Sequence, residues 1–257
     1  FEAALDALQA LDGIEYALDM KMNYGQGEWF SYGFSPIVQS FGGDFINRET
    51  WRADGTINGE GAVAAMTTFQ SWINDGHVVP ASAGDDSFYG AMSSALAFVG
   101  HWMFGAHSEA HGEDLILLPM PAFGDRAVTG NGSWTWGITN NGEDAAAAAQ
   151  LLEFMMSDEN VGAMAAAAGA VPSTVTAMAA TENFAEGGPL EVYTQQLSSG
   201  VAMPRPAHPA YPAISAAFAQ AVADIADGAD VQEALNAAAA AIDEDIEDND
   251  GYPPFGE

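Results

Sequence analysis

Three groups of aromatic residues lie next to predicted strands of this sequence. In open α/β sheets, ligands bind beyond the carboxyl ends of the strands. Sugars present flat C–H faces that pack on aromatic rings, and hydroxyl groups that need polar partners. The groups therefore indicate a carbohydrate site, with core packing as the alternative for each tryptophan. They are residues 29–34 after the first predicted strand, His101 and Trp102 after a second, and Trp134 and Trp136 within a third that follows a glycine turn.

Arg205 is one of only five basic residues in the chain, and it lies between Pro204 and Pro206. The two prolines stiffen the loop around it. Its guanidinium carries five N–H donors that cannot be neutralised, which suits the hydroxyl groups of a ligand. The alternative is a surface ion pair with one of the many carboxylates.

The histidines offer a metal-site hypothesis, whereas no motif supports catalysis. His107 and His111 are four residues apart, as in zinc chelation from one helix turn, and His101 is close in sequence. The H-E-x-x-H pattern is absent, so exposed polar side chains are the preferred interpretation. The chain contains neither G-x-S-x-G nor Walker A, and the glycine turn at 130–132 lacks the third glycine of a dinucleotide site. We predict no catalytic residue, no metal and no cofactor.

The composition predicts a globular protein with a large core. The chain has 257 residues, 49% of them apolar, and no cysteine, which excludes disulfides and thiolate chemistry. Acidic residues number 36 against 5 basic ones, which leaves a net charge of −31. Such a surface repels phosphate backbones and anionic lipids, and this argues against nucleic acids and membrane surfaces as partners. It suits solubility in salty water, where counterions screen self-repulsion.

Short apolar strands alternate with helices along the chain, which predicts the α/β class. Period-two alternation predicts a strand over 14–22, followed by a loop over 23–33 and a helix that begins near Ser35. Short apolar runs predict further strands over 95–99, 115–118 and 134–139. Helices are predicted over residues 1–11, from a cap at Asn58 to Gly76, over 144–156, after a cap at Asp158, near 190–197, over 214–225, and over 230–242 with a capping box of Asp230 and Glu233.

The sequence resembles the carbohydrate-binding extracellular solute-binding proteins of ABC importers, the maltose-binding-protein-like group known as family 1. Each motif alone is weak, and the resemblance depends on seven of them occurring in the family order over essentially the whole chain. They are GEWFSYG at 27–33 before FGGD at 41–44, ALAFVGHW at 95–102, LPMP at 118–121, GNGSWTWGIT at 130–139, the segment 144–159, MPRP at 203–206 with PAYP at 209–212, and the helix break DGAD at 227–230.

The resemblance implies a two-lobe periplasmic-binding-protein fold of class II, α/β in type, with one lobe largely complete and the other partial. The family's first segment is absent from this chain, and the uncapped helical stripe from Phe1 also predicts that something upstream is missing. Residues 1–128 and 181–257 would form the second lobe, and 129–180 a returning segment of the first. By the resemblance, Trp102 and Trp134 would stack on the sugar, Tyr32 matches a further ring position, and Arg205 matches a hydroxyl-binding arginine of some members. His101 departs from the family, in which many members have a small residue or proline at this position. We expect His101 and Ser133 to hydrogen-bond hydroxyls with Arg205, and Trp29 and Tyr211 to be further site residues.

The implied function is that of a binding protein without enzymatic activity. It would capture a neutral sugar or polyol in the periplasm, or on the extracellular face of the cytoplasmic membrane, and deliver it to an ABC transporter permease. We expect a monomer that binds no nucleic acid. Two alternatives stay open: a polysaccharide-active hydrolase or lyase, which turnover of a glycan would favour, and a zinc-binding importer protein, which zinc-dependent stabilisation would favour.

Overall fold

A computed structural model describes residues 1–24 and 27–253 of the chain, as two compact units. Unit 1 comprises Phe1–Val99, Met120–Asn131 and the chain from Val201 onward, and unit 2 comprises Gly100–Pro119 and Gly132–Gly200. In chain order the elements are α1 (Glu2–Gln9), β1 (Tyr16–Asp19), α2 (Glu28–Ser40), α3 (Glu60–Asn74), β2 (Ser94–Ala97), α4 (Phe104–His111), β3 (Thr129–Asn131), α5 (Ala145–Met155), α6 (Asp158–Ala168), α7 (Val175–Ala180), α8 (Glu191–Ser198), β4 (Ala202–Pro204), α9 (Tyr211–Ala226) and α10 (Val231–Asp248).

The predicted lobe boundaries do not coincide with these units. Gly100–Pro119 and residues 181–200 belong to unit 2, whereas the prediction assigns them to the same lobe as the rest of 1–128 and 181–257. The units describe how this chain packs, whereas the lobes are those that the resemblance implies. The assignment of 1–128, 129–180 and 181–257 to lobes therefore stays a prediction.

Unit 1 contains two pairs of parallel strands. In the first pair, β1 lies beside β2 with Leu18 opposite Leu96, and Val78 forms a bridge on the other side of Leu18. In the second pair, β3 lies beside β4 with Gly130 opposite Met203. Parallel strands whose partners are distant in sequence, with helices between them, are typical of α/β proteins. The predicted α/β class is confirmed, and so are the strands over 14–22 and 95–99, although both are shorter than predicted.

The hydrophobic core of unit 1 is formed by apolar faces of α2, α3, α9 and α10. On α9, the predicted stripe of Ile214, Phe218, Val222 and Ile225 is fully buried. The ring of Phe218 lies 4.4 Å from that of Phe45, measured between centroids. Burial of one such phenylalanine contributes about 2–3 kcal/mol. The core therefore fixes α2 and α9 side by side, which matters for the site below.

A buried ion pair lies at the carboxyl end of β1. Lys21 is fully buried, and its Nζ donates to Asp19 Oδ2 at 2.8 Å and to the Asp85 carbonyl at 2.7 Å. Burial alone would lower the pKa of Lys21, but the hydrogen bonds and charges of Asp19 and Asp85 outweigh it and raise that pKa. Lys21 therefore stays charged and attaches the segment around Asp85 to the strand end.

The aromatic segment predicted as a loop over 23–33 is in large part helix, because α2 begins at Glu28 rather than near Ser35. Phe30, Phe34 and Ile37 lie at helical spacing and are buried, and this apolar stripe stabilises the helix although Pro36 lies inside it. Pro36 cannot donate to the Tyr32 carbonyl, and the Ser35 hydroxyl donates to it instead at 3.2 Å. Residues 25 and 26 of the predicted loop lie outside the described residues.

Of the three helix caps predicted, one is correct and two are one residue off. The Asp230 carboxylate accepts from the Glu233 N–H at 2.9 Å at the start of α10. Asp144, the first residue of another predicted helix, is the N-cap of α5. The N-cap of α3 is Gly59 rather than Asn58. Likewise, Ser157 precedes α6, and Asp158 lies in its first turn. One-residue errors are expected at helix ends, where side chains can cap from neighbouring positions.

The strands predicted over 115–118 and 134–139 are wrong, since neither segment is assigned as strand. A strand requires backbone pairing with a neighbour, and within the described residues neither segment is paired in this way. Their apolar side chains, such as Ile116 and Trp134, are exposed rather than buried. Unit 2 otherwise contains α4–α8, and its buried apolar residues are few: Val161, Ala165, Ala177, Phe184 and Leu190. None of the described helices has the length and apolar character needed to cross a membrane.

Candidate functional site

Four of the predicted site residues lie close together in unit 1. The guanidinium carbon of Arg205 is 4.9 Å from the centre of the Tyr32 ring and 5.8 Å from that of Tyr211. The Trp29 ring lies 6.3 Å beyond Tyr32, at 60° to it. Cation–π contacts of this kind favour a guanidinium held against a ring face. The four side chains thus form a surface with aromatic rings beside a positive charge.

The carboxylate of Glu28 binds three donors within this group. Its Oε1 accepts from Arg205 Nη1, in an ion pair, and from the Tyr211 hydroxyl at 2.8 Å. Its Oε2 accepts from the Ser215 hydroxyl at 2.7 Å. The hydroxyl of Ser31 lies 3.0 Å from that of Ser215 and extends the network into the helix interface. We call Glu28, Tyr32, Arg205, Tyr211 and Ser215 the Arg205 cluster.

Three elements position the Arg205 cluster. Arg205 directly follows β4, a strand that is not predicted from the sequence, so it lies at a carboxyl strand end. Glu28 and Tyr32 are one helix turn apart on α2, and Tyr211 and Ser215 are one turn apart on α9. Gly130 on β3 lies against Tyr32, because a Cβ at residue 130 would stand 3.3 Å from the Tyr32 ring.

The two tyrosines of the cluster keep their protons at neutral pH. Burial raises the pKa of Tyr211, and the hydrogen bond to Glu28 and its negative charge raise it further. Burial also raises the pKa of Tyr32, against a smaller opposing effect of the Arg205 charge. The cluster therefore presents hydroxyl donors, a guanidinium and a carboxylate, which together can hydrogen-bond a polyhydroxyl ligand.

Glu28, Ser31 and Ser215 are absent from the sequence-predicted site. The carboxylate is one of 36 acidic residues, so its type alone marks nothing. The four-residue spacings place Glu28 on the helix face of Tyr32 and Ser215 on that of Tyr211, but they do not show that the two faces meet. Even this placement requires the segment around Glu28 to be recognised as helix.

Trp29 contributes one edge of the group but is also tied to the fold. Its Nε1–H donates to the Met20 carbonyl at 3.0 Å, and its ring packs over Gly33. The Tyr24 ring meets it edge-on at 5.5 Å. Trp29 therefore holds α2 against the end of β1, and its predicted contact with a ligand stays a prediction.

His101 and Trp102 form a second group, in unit 2. The ring of Trp102 folds back over Gly100, where any side chain would collide with it, and is 39% exposed. His101 Nδ1 lies 2.9 Å from the Gly169 carbonyl, so this nitrogen carries the proton and donates. The Tyr193 ring meets the imidazole edge-on at 5.6 Å, and burial lowers the pKa of His101. The imidazole is therefore neutral and fixed near an accessible indole.

Ser133 and Trp134 are exposed in unit 2, and the Trp134 side chain is 97% accessible. Neither residue lies in a strand. Their predicted roles in hydroxyl binding and stacking stay predictions. The three histidines of the zinc-binding alternative do not form a site, since no group of three or more possible metal ligands occurs among the residues described.

The family of bacterial extracellular solute-binding proteins matches residues 1–191 of the chain. The chain belongs to this family. Membership confirms the resemblance found in the sequence motifs and a location outside the cytoplasm, in the periplasm or at the cell surface. No curated protein sequence matches the chain.

Solved structures of solute-binding proteins share the fold. A cyclo/maltodextrin-binding protein in complex with maltotetraose matches with a TM-score of 0.72 and 20% identity, over 96% of this chain and 63% of that one. A cyclic α-maltosyl-1,6-maltose-binding protein from Arthrobacter globiformis matches with a TM-score of 0.71 and 23% identity, over 96% of this chain and 63% of that one. The maltose-binding periplasmic protein of Listeria monocytogenes, in complex with maltose, matches with a TM-score of 0.68 and 16% identity, over 100% of this chain and 66% of that one.

These likenesses confirm the predicted periplasmic-binding-protein fold, in a partial form. The chain spans 63% of the length of the first two proteins. All three are binding proteins by their descriptions, not enzymes. Their ligands are their own, and the ligand of this chain is a matter for the proposal that follows.

Proposed function

We propose that this protein captures a neutral sugar or polyol outside the cytoplasm and delivers it to the permease of an ABC transporter. The observation that carries the proposal is the Arg205 cluster, in which two tyrosine rings flank a guanidinium and a carboxylate at the carboxyl end of β4. Membership of the extracellular solute-binding family supports it.

The chemistry of the cluster matches a carbohydrate. Aromatic rings pack on the C–H face of a pyranose, and charged groups hydrogen-bond its hydroxyl rim more strongly than neutral ones do. His101, Trp102, Ser133 and Trp134 of unit 2 are proposed as further ligand contacts. In the complete protein, 1–128 with 181–257 would be one lobe and 129–180 part of the other, and the ligand would select the closed form.

Titration calorimetry with maltose and maltotetraose tests the proposal, because these sugars are bound by structurally similar proteins. We expect Trp102→Ala to weaken sugar affinity by about 1–3 kcal/mol without unfolding the chain. Trp136→Ala is the matched control, since Trp136 is also exposed and is not assigned to the site. Equal affinity of Trp102→Ala and wild type would remove Trp102 from the site.

A wider screen decides the function itself. If thermal shifts show no stabilisation by any neutral mono- or oligosaccharide or polyol, the proposal is wrong. We further propose that the protein is a monomer, binds no nucleic acid and has no enzymatic activity. Incubation with maltotetraose followed by chromatography checks the last point, and shortened products would favour the hydrolase or lyase alternative.

A further inference from the structure

Arg205 is the only cation of the Arg205 cluster, and its charge raises the question of ligand charge. A lone guanidinium binds carboxylates and phosphates tightly through paired hydrogen bonds. The other four basic side chains of the sequence have partners of their own in unit 1, although Arg48 also donates to the Pro204 carbonyl and Arg126 to Met203 Sδ, close to Arg205 in sequence. Lys21 binds Asp19 and Asp85, Arg48 binds Asp44, Arg52 binds Asp243 and Glu247, and Arg126 donates to the Gln39 carbonyl.

Glu28 cancels the charge of Arg205 where a ligand would meet it. The two side chains form an ion pair, and both reach solvent, with 47% of the Glu28 side chain and 22% of the Arg205 side chain exposed. Tyr211 and Ser215 also donate to the same carboxylate, so three donors converge on it. Arg205 donates to Glu28 through Nη1, and a guanidinium carries five N–H donors, so others of its N–H groups can bind a ligand.

We propose that Glu28 is a specificity-determining residue that makes the site accept neutral sugars and reject sugars bearing a carboxylate. This inference rests on the proposed function of the site. An anionic ligand would face Glu28 at close range and would compete with it for Arg205. A neutral ligand meets no such repulsion and uses the guanidinium and hydroxyl donors as they stand.

Glu28→Gln isolates the charge from the geometry. A glutamine side chain keeps an oxygen that can accept from Arg205 and Tyr211, and its amide can donate to the Ser215 hydroxyl. Glu49→Gln is the matched control, because Glu49 is exposed and its replacement changes the net charge by the same amount away from the cluster. Glu28→Gln/Arg205→Gln tests whether any new anion binding depends on the guanidinium. Circular dichroism and melting temperature verify that each variant is folded.

Glucose and glucuronate are the sugar probes, since glucuronate has a carboxylate at C6 where glucose has a hydroxymethyl group. Acetate is a third probe, which carries the carboxylate without a sugar. We expect Glu28→Gln to shift the ratio of the two sugar Kd values toward glucuronate by about tenfold or more, as hydrogen bonds to charged groups are the stronger ones. Acetate should stabilise Glu28→Gln, but neither wild type nor the double variant. The Glu49→Gln ratio should equal that of wild type.

The outcomes separate this inference from the proposed function. An unchanged ratio in Glu28→Gln, with glucose still bound, overturns the specificity role and leaves the sugar-binding function standing. If wild type binds no sugar, the proposed function fails. The acetate and glucuronate results then decide the charge role alone: binding to Glu28→Gln but not to wild type supports it, and absence of binding to both overturns it.

Discussion

Phe218 in unit 1 and Phe154 in unit 2 are both helical phenylalanines, but their surroundings differ. Phe218 is fully buried on α9, whereas the Phe154 side chain on α5 is 67% exposed. The contrast extends to each unit. Among the described residues, twelve of the fifteen large exposed apolar side chains belong to unit 2. All five basic residues belong to unit 1. Unit 1 therefore has its own core and ion pairs, and unit 2 depends far less on internal burial.

The two phenylalanines give the largest test of this comparison. Phe218→Ala should lower the free energy of unfolding by about 3–5 kcal/mol, because it removes a buried ring and leaves a cavity. Phe154→Ala should change it by less than about 0.5 kcal/mol, because its ring is in contact with solvent. Urea titrations followed by circular dichroism measure both values. Equal losses would mean that the two units bury apolar surface to the same extent.

The buried ion pair tests whether charge contributes to unit 1 beside apolar packing. Lys21→Met should cost about 3 kcal/mol, since it leaves Asp19 buried without its counter-charge. Adding Asp19→Asn should restore part of the loss. Arg52→Met is the control at a half-exposed cation, which pairs with the exposed Glu247 and with the buried Asp243, and it should cost less than Lys21→Met. A Lys21→Met loss no greater than that of Arg52→Met would contradict the role of the pair.

Two matched helix caps compare the units directly. Asp230 and Asp144 each accept a backbone N–H three residues ahead, both at 2.9 Å. Asp230→Ala should lower the free energy of unfolding by about 1 kcal/mol, because α10 belongs to the core of unit 1. Asp144→Ala should instead increase hydrogen exchange within α5 and leave the exchange of α10 unchanged. If Asp144→Ala also increased exchange at the most protected amides of unit 1, the two units would unfold together.

Two histidines give the smallest effect, through pH. Burial lowers the pKa of His101 in unit 2 and of His208 in unit 1 below the ordinary value of 6.5. The folded state therefore holds fewer protons than the unfolded state in this range, so stability is complete above about pH 6.5 and falls as the pH drops through the folded pKa values. His101→Gln should reduce the pH dependence of hydrogen exchange at the amides of unit 2 only. His208→Gln should reduce it at the amides of unit 1 only. A stability that rises on acidification from pH 6.5 would reverse the assigned sign.

Local patterns predict some parts of this molecule well. The helices α9 and α10 follow from complete apolar stripes and from the Asp230 capping box, both of which act within a few residues. The start of α2 is missed because the glycine and aromatic residues over 23–33 indicate a loop, whereas burial against distant helices stabilises a helix there. The strands over 115–118 and 134–139 fail because strand formation depends on a partner that local sequence does not specify.

The site shows the same division between local type and distant contact. Arg205 is found because basic residues are rare, and Tyr32 because aromatic residues cluster around it. Glu28 and Ser215 belong to abundant residue types, and only the packing of α2 against α9 makes them neighbours of Arg205. A pairing across more than 170 residues cannot be deduced from spacing in one sequence.

The discontinuity of unit 1 has a consequence for how the protein folds. Phe45 and Phe218 meet only after the chain has closed a loop that contains all of unit 2. Closing a longer loop adds little to the equilibrium cost, about 0.6 kcal/mol for each doubling of its length, but contacts so distant in sequence slow the search for the native state. We therefore expect refolding of unit 1 to be slowed by the late docking of α9 and α10, and during synthesis its core cannot close until these helices have left the ribosome.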